Sequence, residues 1–389
     1  MRRAMERRLP LATVNPSTSG AEEVRGDTAH VAELPGETAG VPLAEHTTLR
    51  LGGPATGLVV ATRSDEITEA VRAADAGGHR LLVLGGGSNV VVADEGFDGH
   101  VVRIATKGRQ YDSVGDGLVQ LTAEAGEDWD EVVADTARQG LGGLECLSGI
   151  PGLTGATPVQ NVGAYGVEVS ELLVSVDLLD RATGTVRTVP ATELGLTYRN
   201  SVLKHSDAAV VLRARFLLRD DDLSAPIRYG ELARALDVEP GGQVDVASAR
   251  EAVLSLRRGK GMVLDAGDHD TWSAGSFFTN PIVDEAELPA VLERITERVG
   301  ADQRIPQYPA DGGVKLSAAW LIERAGFGKG HQGPGGRVGL STKHTLALTN
   351  RGGATTRDLL ILAREVRDGV RLAFGVSLAP EPVLVDCSL

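Results

Sequence analysis

The stretch Pro151-Gly152-Leu153-Thr154-Gly155-Ala156-Thr157-Pro158-Val159-Gln160-Asn161-Val162-Gly163-Ala164-Tyr165-Gly166 constrains the fold more than any other part of the chain. No amphipathic helix and no alternating strand needs so many glycines and prolines. Such a run is backbone held in a particular shape, and shaped backbone on a rigid scaffold is where ligands bind. Two further strings share this character. Gly85-Gly86-Gly87-Ser88-Asn89 is a glycine loop, and Gly275-Ser276-Phe277-Phe278-Thr279-Asn280-Pro281 sets a serine in a glycine-flanked turn.

The context of the glycine loop separates two readings. Leu58-Val59-Val60-Ala61 reads as a strand. Ser64 is placed to cap a helix with Ile67, Ala70, Val71 and Ala74 on one face, and Gly77-Gly78 ends it. Leu81-Leu82-Val83-Leu84 then forms the next strand. In a dinucleotide-binding βαβ unit the glycines would open a helix. Here Val90-Val91-Val92 follows, so the loop joins two strands, and its N–H groups can still form a nest for an anion. Farther on, Asp128 and Glu131 read as a capping box before Trp129, Val132 and Val133, and Ser248 and Glu251 as another. Segments 172–179 and 209–212 are strand-like; 288–299, 318–325 and 359–374 are helical; 382–385 is strand-like again. Residues 1–40 are polar and aperiodic and are expected to be a disordered tail that contributes nothing to the core and is removable to about Thr38 without effect on activity.

The chain has 389 residues, enough for two or three domains. Lys and Arg number 39 against 53 Asp and Glu, a net charge of −14, which argues against a general nucleic-acid binder but not against a local cationic patch for a small anion. Cys146 and Cys387 read as two reduced thiols. No apolar run reaches membrane-spanning length, and the charged start Met1–Arg8 lacks the apolar stretch of a signal peptide, so a cytoplasmic protein with no membrane partner is expected. Asp265-Ala266-Gly267-Asp268-His269-Asp270 fits no zinc or EF-hand spacing, and no metal is expected. Nor is there a Gly-x-Ser-x-Gly elbow to make Ser276 a hydrolase nucleophile.

Together the three strings resemble the UDP-N-acetylenolpyruvoylglucosamine reductase family over about 41–385, in the class with a substrate-covering tyrosine loop. The resemblance implies an α+β fold: a two-part FAD-binding unit of the vanillyl-alcohol-oxidase type plus a C-terminal substrate-binding domain. The implied boundaries are 41–105, completed by 366–389, for the first FAD subdomain, 106–225 for the second, and 226–365 for the substrate domain. It implies non-covalent FAD, with NADPH as donor, contacted by Gly85, Gly86, Gly87, Ser88, Asn89, Ile150, Pro151, Gly155, Ala156, Gln160, Asn161, Gly163 and Ala164. His46 lies in the flavin unit, but the family does not attach its flavin.

The implied reaction reduces UDP-N-acetylglucosamine enolpyruvate to UDP-N-acetylmuramate for peptidoglycan. Hydride goes to the terminal alkene carbon and charge builds on the carboxylate. Arg199 in Tyr198-Arg199-Asn200-Ser201 would grip the carboxylate, Ser276 would protonate the adjacent carbon, and Glu381 in Pro380-Glu381-Pro382 would assist. Tyr229, Lys260, Asn280, Lys315 and Gln332 match substrate-binding positions. Three places depart from the family: Thr279 stands where many members carry Lys, Pro382 where an aliphatic residue is usual, and 329–334 has an atypical sequence. The alternatives are another FAD-dependent oxidase of this fold, which would lack the Ser276, Arg199 and Glu381 trio, and a non-catalytic nucleotide-sugar binder, which would need no flavin.

Overall fold

A computed structural model describes residues 33–389. Chain order opens with β1 (Thr38–Ala39), β2 (Ala55–Ala61), α1 (Ser64–Ala76), β3 (Leu81–Leu84), β4 (Val90–Val92) and β5 (Phe97–Ile104). Strands β2, β5 and β3 are parallel, β1 is antiparallel on the edge, and the order is β1-β2-β5-β3. Helix α1 buries Ile67, Ala70, Val71 and Ala74, the three-and-four spacing that turns one stripe to the core. Its N-cap is Arg63 rather than Ser64. The Glu66 carboxylate takes the N–H groups of Thr62 and Arg63, so the acidic residue does the capping expected of the serine.

Next come β6 (Arg109–Gly115), β7 (Leu118–Glu124), α2 (Trp129–Arg138), β8 (Leu141–Gly142), α3 (Thr157–Gln160), β9 (Gly163–Ala164), β10 (Val167–Glu168), β11 (Leu173–Asp180), β12 (Thr185–Pro190) and β13 (Ala209–Asp220). Five of these strands make an antiparallel sheet in the order β12-β11-β13-β7-β6, with β8 pairing to β13, while β9 and β10 form a ribbon. The third stretch holds α4 (Gly230–Leu236), α5 (Val246–Gly259), β14 (Ile282–Val283), α6 (Leu288–Val299), β15 (Gln307–Ala310), β16 (Gly313–Leu316), α7 (Ala318–Ala325), β17 (Val338–Leu340), β18 (Leu348–Asn350), α8 (Thr356–Phe374) and β19 (Val383–Val385). Helix α5 starts earlier than the Ser248 reading: Asp245 caps it, accepting from Ser248 N at 2.8 Å.

Shared cores run across two of the expected boundaries. Leu232, Ala233 and Val253, from α4 and α5, share a core with Trp129, Leu147 and Phe216, so the expected break at 225 separates helices from the sheet they cover. Helix α8 shares its core with Phe277, Phe278 and Ile322 of the C-terminal unit; within 366–389, β19 is the strand that pairs with the N-terminal part, lying parallel to β4. Apolar periodicity marks each helix but does not say which sheet it covers.

The N-terminal tail is a further correction. Residues 1–32 lie outside the described residues, but 33–40 are ordered. Leu34 is buried in the core between α1 and the β11–β13 sheet, beside Leu179 and Leu212. Strand β1 pairs with Leu58 and Gly57. The Glu37 carboxylate meets His100 Nδ1 with both side chains buried, and it also accepts from Leu34 N at 2.7 Å. It fits because residue 57 is glycine: a Cβ there would overlap the carboxylate. This segment buries a single large apolar side chain and is held by hydrogen bonds, which is why it shows no period.

Both cysteines are free thiols. Among the described residues no helix is long and apolar enough to cross a membrane, and no group of three or more His, Cys, Asp or Glu is placed to hold a metal ion.

Candidate active site

Arg199 occupies a turn closed by reciprocal backbone hydrogen bonds between Thr197 and Asn200, at 3.0 and 3.1 Å. Its φ is 53°, a left-handed conformation that costs a branched-backbone residue about 1–3 kcal/mol and persists only where the surroundings enforce it. Asn161 (φ 45°) and Tyr165 (φ 50°), in the long glycine string, share this conformation. The string receives the guanidinium: Arg199 Nη2 donates to Gly163 O at 2.5 Å and Nη1 to Asn161 O at 3.4 Å. The Asn161 amide is itself engaged, donating to Glu168 and Thr197 O and accepting from Ser170 N. A Cβ on Gly163 would stand 2.8 Å from Arg199 Nη1, so any other residue there would push the guanidinium out of place.

Glu381 arrives from the far end of the chain. Its Oε1 lies 3.6 Å from Arg199 Nε and accepts from Gln160 Nε2 at 2.9 Å. Burial pushes its carboxyl above the usual range, while Arg199, the Gln160 amide and Lys204 pull it back. The serine strip is paired to the same segment. Glu381 N donates to Phe277 O at 2.9 Å, Thr279 N donates to Ala379 O at 3.1 Å, and Phe278 bridges Pro380. The fully buried rings of Phe277 and Phe278 anchor the strip, leaving half-buried Ser276 after Gly275, whose φ is 74°. Pro382 precedes β19 rather than lying in it, so its missing N–H removes nothing from the β4 pairing.

Tyr198, beside Arg199, is a platform. Lys315 Nζ lies 4.5 Å from its ring centroid, and Asn280 Nδ2 donates to its hydroxyl at 3.5 Å. Asn280 Oδ1 also accepts Ala318 N at the start of α7, tying the strip to the C-terminal unit. A second cluster forms around Tyr229, which is 45 % exposed at the N-cap of α4. Its ring meets Tyr165 edge-on at 5.4 Å; Lys260 Nζ lies 5.6 Å from the Tyr165 centroid and pairs with Glu231. Gln332 is exposed beside Gly339 and, among the described residues, has no hydrogen bond to the other candidates.

The two glycine strings meet face to face. A Cβ on Gly86 would stand 2.8 Å from Gly152 Cα, and one on Gly155 would stand 2.5 Å from Ala125 Cβ. Among the described residues the N–H groups of Gly86, Gly87, Ser88 and Asn89 have no backbone acceptor. Four consecutive free donors in a loop with a left-handed glycine (Gly87, φ 62°) make an anion nest, which suits the pyrophosphate of FAD. Thr48 joins this nest to the serine strip, donating its N–H to Gly87 O and its hydroxyl to Ser273 O. Ile150 and Pro151 lead into the second string, whose backbone carries Ala156 and Ala164. The residues present therefore fit a flavin dinucleotide laid between the strings.

Two neighbours escaped the sequence reading, and a third, Gln160, was expected at the flavin rather than at Glu381. Gln160 donates to the Glu381 carboxylate, while the two missed are Tyr165, which meets Tyr229, and Lys204, which donates to Arg199 O at 3.0 Å. Lys204 stands five residues after Arg199 in the same loop, and that proximity was the one available signal.

The fold and the glycine cradle define an FAD-binding oxidoreductase, and the model for the FAD binding domain family matches residues 55–190. The model for the UDP-N-acetylenolpyruvoylglucosamine reductase C-terminal domain matches 267–385. The UDP-N-acetylenolpyruvoylglucosamine reductase of Saccharopolyspora erythraea is 77% identical over 372 residues, covering 95% of this chain and 100% of that protein. That of Nocardia farcinica is 60% identical over 349 residues, covering 90% of each. The crystal structure of the reductase from Thermus caldophilus superimposes with a TM-score of 0.59 at 25% identity, over 89% of this chain and 97% of that one. The chain belongs to the UDP-N-acetylenolpyruvoylglucosamine reductase family.

Proposed function

We propose that Arg199, Glu381 and Ser276 carry out the NADPH-dependent reduction of UDP-N-acetylglucosamine enolpyruvate to UDP-N-acetylmuramate, with the substrate lying between the Arg199 turn and the serine strip. The observation that carries this reading is the convergence of three distant segments. The long glycine string holds the Arg199 guanidinium, Arg199 meets Glu381, and the Glu381 segment is hydrogen-bonded to the Ser276 strip.

FAD, when bound, takes hydride from NADPH and supplies it to the terminal carbon of the enolpyruvyl double bond. The chain's own residues manage charge and protons. Arg199 stays charged and offers two donors to the substrate carboxylate, on which negative charge grows as the double bond is lost. Glu381, its carboxyl held toward the neutral form by burial, is poised to donate to that same charge. Ser276 Oγ gives its proton to the carbon next to the carboxylate, completing addition of hydride and proton across the bond, and recovers a proton from solvent. Lys260, Lys329 and Arg257 each disfavour charge on His344 while Glu231 opposes them, a partly offset positive field in an acidic protein that suits the two phosphates of a UDP-sugar. Tyr229 and Tyr165 flank Lys260 and cover the nucleotide side, Asn280 and Lys315 orient the sugar end around Tyr198, and Gln332 lies at the outer margin. Both substrates are cytoplasmic metabolites, which sets the reaction in the cytoplasm; nothing in it calls for nucleic acid or membrane.

The test separates the two half-reactions. Purified protein should carry about one acid-releasable FAD per chain, NADPH should bleach it, and the enolpyruvyl sugar should restore its colour without oxygen. A colourless protein that FAD cannot reconstitute would overturn the reading. A flavin restored by oxygen and not by the sugar would favour an oxidase of the same fold.

A further inference from the structure

The Arg199 turn holds a cation that has no part in the reaction as described. Lys204 is half-buried, and its ammonium donates to the carbonyl of Arg199 at 3.0 Å. That carbonyl belongs to a residue held left-handed, with its guanidinium fastened at the other end to Gly163 and Asn161. Lys204 and Glu381 also act on each other electrostatically, the carboxylate favouring the charged lysine and the lysine favouring the ionised carboxylate. We propose that Lys204 is a positioning residue of this site: it pins the Arg199 backbone in its left-handed turn and gives Glu381 a second cation beside the arginine.

A neutral donor could satisfy one carbonyl, so hydrogen bonding alone does not call for lysine. A half-buried ammonium is costly without an acidic neighbour that favours its charge, and Glu381 is the one that acts on Lys204. Burial and the neighbouring Arg199 lower the Lys204 pKa, while Glu381 raises it. The same charge keeps the buried carboxyl of Glu381 from rising as far as burial alone would drive it. The other groups around Glu381 are the Gln160 amide, Arg199 with Glu168 at 3.7 Å on its far side, and the Tyr198 hydroxyl; His205 neighbours Lys204 but is exposed. Lys204 thus sets the pH at which Glu381 changes charge while holding the carboxylate-binding arginine in register.

The kinetic arm of the test rests on the reductase reading; the spectroscopic arm does not. In FAD-loaded protein the protonated carboxyl band of Glu381, identified by its loss in Glu381→Gln, is followed by infrared titration in wild type, Lys204→Met and Lys204→Arg. In Lys204→Met the band should persist to higher pH, by about one unit, because an opposing cation has gone; Lys204→Arg should restore the wild-type midpoint. In stopped flow, reoxidation of reduced flavin by the enolpyruvyl sugar should slow at least about tenfold in Lys204→Met through misplacement of Arg199. Reduction by NADPH should be unchanged, which also shows that the variant is folded. An unmoved band, or equal slowing of both half-reactions, would overturn the assignment. If wild-type flavin is not reoxidised by the sugar, the reductase reading fails, and the band still decides the role of Lys204.

Discussion

The Arg199–Glu381 corner and the Tyr229–Lys260 rim are built on opposite plans. In the corner, one guanidinium meets two backbone carbonyls and two carboxylates, and three residues nearby adopt left-handed backbone. At the rim, Tyr229 is nearly half exposed and has one aromatic partner, and Lys260 has one carboxylate and one ring. Where charge must be met as it develops, geometry is overdetermined. Where a substrate must enter and leave, few contacts hold each side chain, so local opening is cheap.

Substitutions should divide along this line. The largest effect is expected for Ser276→Ala: reoxidation of reduced flavin by substrate should fall by about two to four orders of magnitude, while reduction by NADPH keeps its rate. Equal loss in both half-reactions would make the serine structural. Arg199→Lys should follow, with turnover down by about two orders of magnitude or more and FAD still bound, because lysine keeps the charge and loses the two-point grip. Near-normal turnover would move Arg199 out of the site.

The rim should respond in binding and stability. Burial, with Lys260 and Lys329 next in effect, lowers the His344 pKa from 6.5 to about 4. A lowered folded-state value means the unfolded chain binds the proton first, so this stability is complete above about pH 6.5 and is lost as pH falls toward 4. Thermal melts should steepen across that window in wild type and flatten in His344→Gln; parallel curves would show that His344 does not govern the slope. The smallest effect is expected for Tyr229→Ala, which should raise the KM for the enolpyruvyl sugar by about tenfold or less with kcat nearly kept, the mark of binding shared by ground and transition states. A fall in kcat matching that of Arg199→Lys would erase the distinction between corner and rim.

The sequence showed the corner better than its surroundings. Gly163 and Gly86 could be read because close backbone approach leaves a compositional trace, and Val90-Val91-Val92 after the glycines correctly excluded a helix there. The helices at 288–299 and 318–325 matched their periodic stripes. The bond from Gln160 to Glu381, and Lys204 altogether, were harder, since a hydrogen bond to a carboxylate or a carbonyl has no spacing rule when the partners are joined only by the fold. The placement of α4 and α5 on the β11–β13 sheet was hidden for the same reason: amphipathicity shows that a face is buried, not what buries it. Leu34 and Glu37 were missed because one apolar side chain and one buried side-chain contact have no period.

The pairing of β19 with β4 brings Glu381 to a glycine loop encoded some three hundred residues earlier, and β1 is laid on β2 from the other end of the described chain. During synthesis the two glycine strings can meet first, but the carboxylate and the strip-to-strip contact with Phe277 follow only once residue 381 has been added. Long-range closures of this kind form slowly. A nascent chain can therefore hold most of its cofactor-binding surface well before it can complete the site, and competence for the reaction is delayed until the last strand docks.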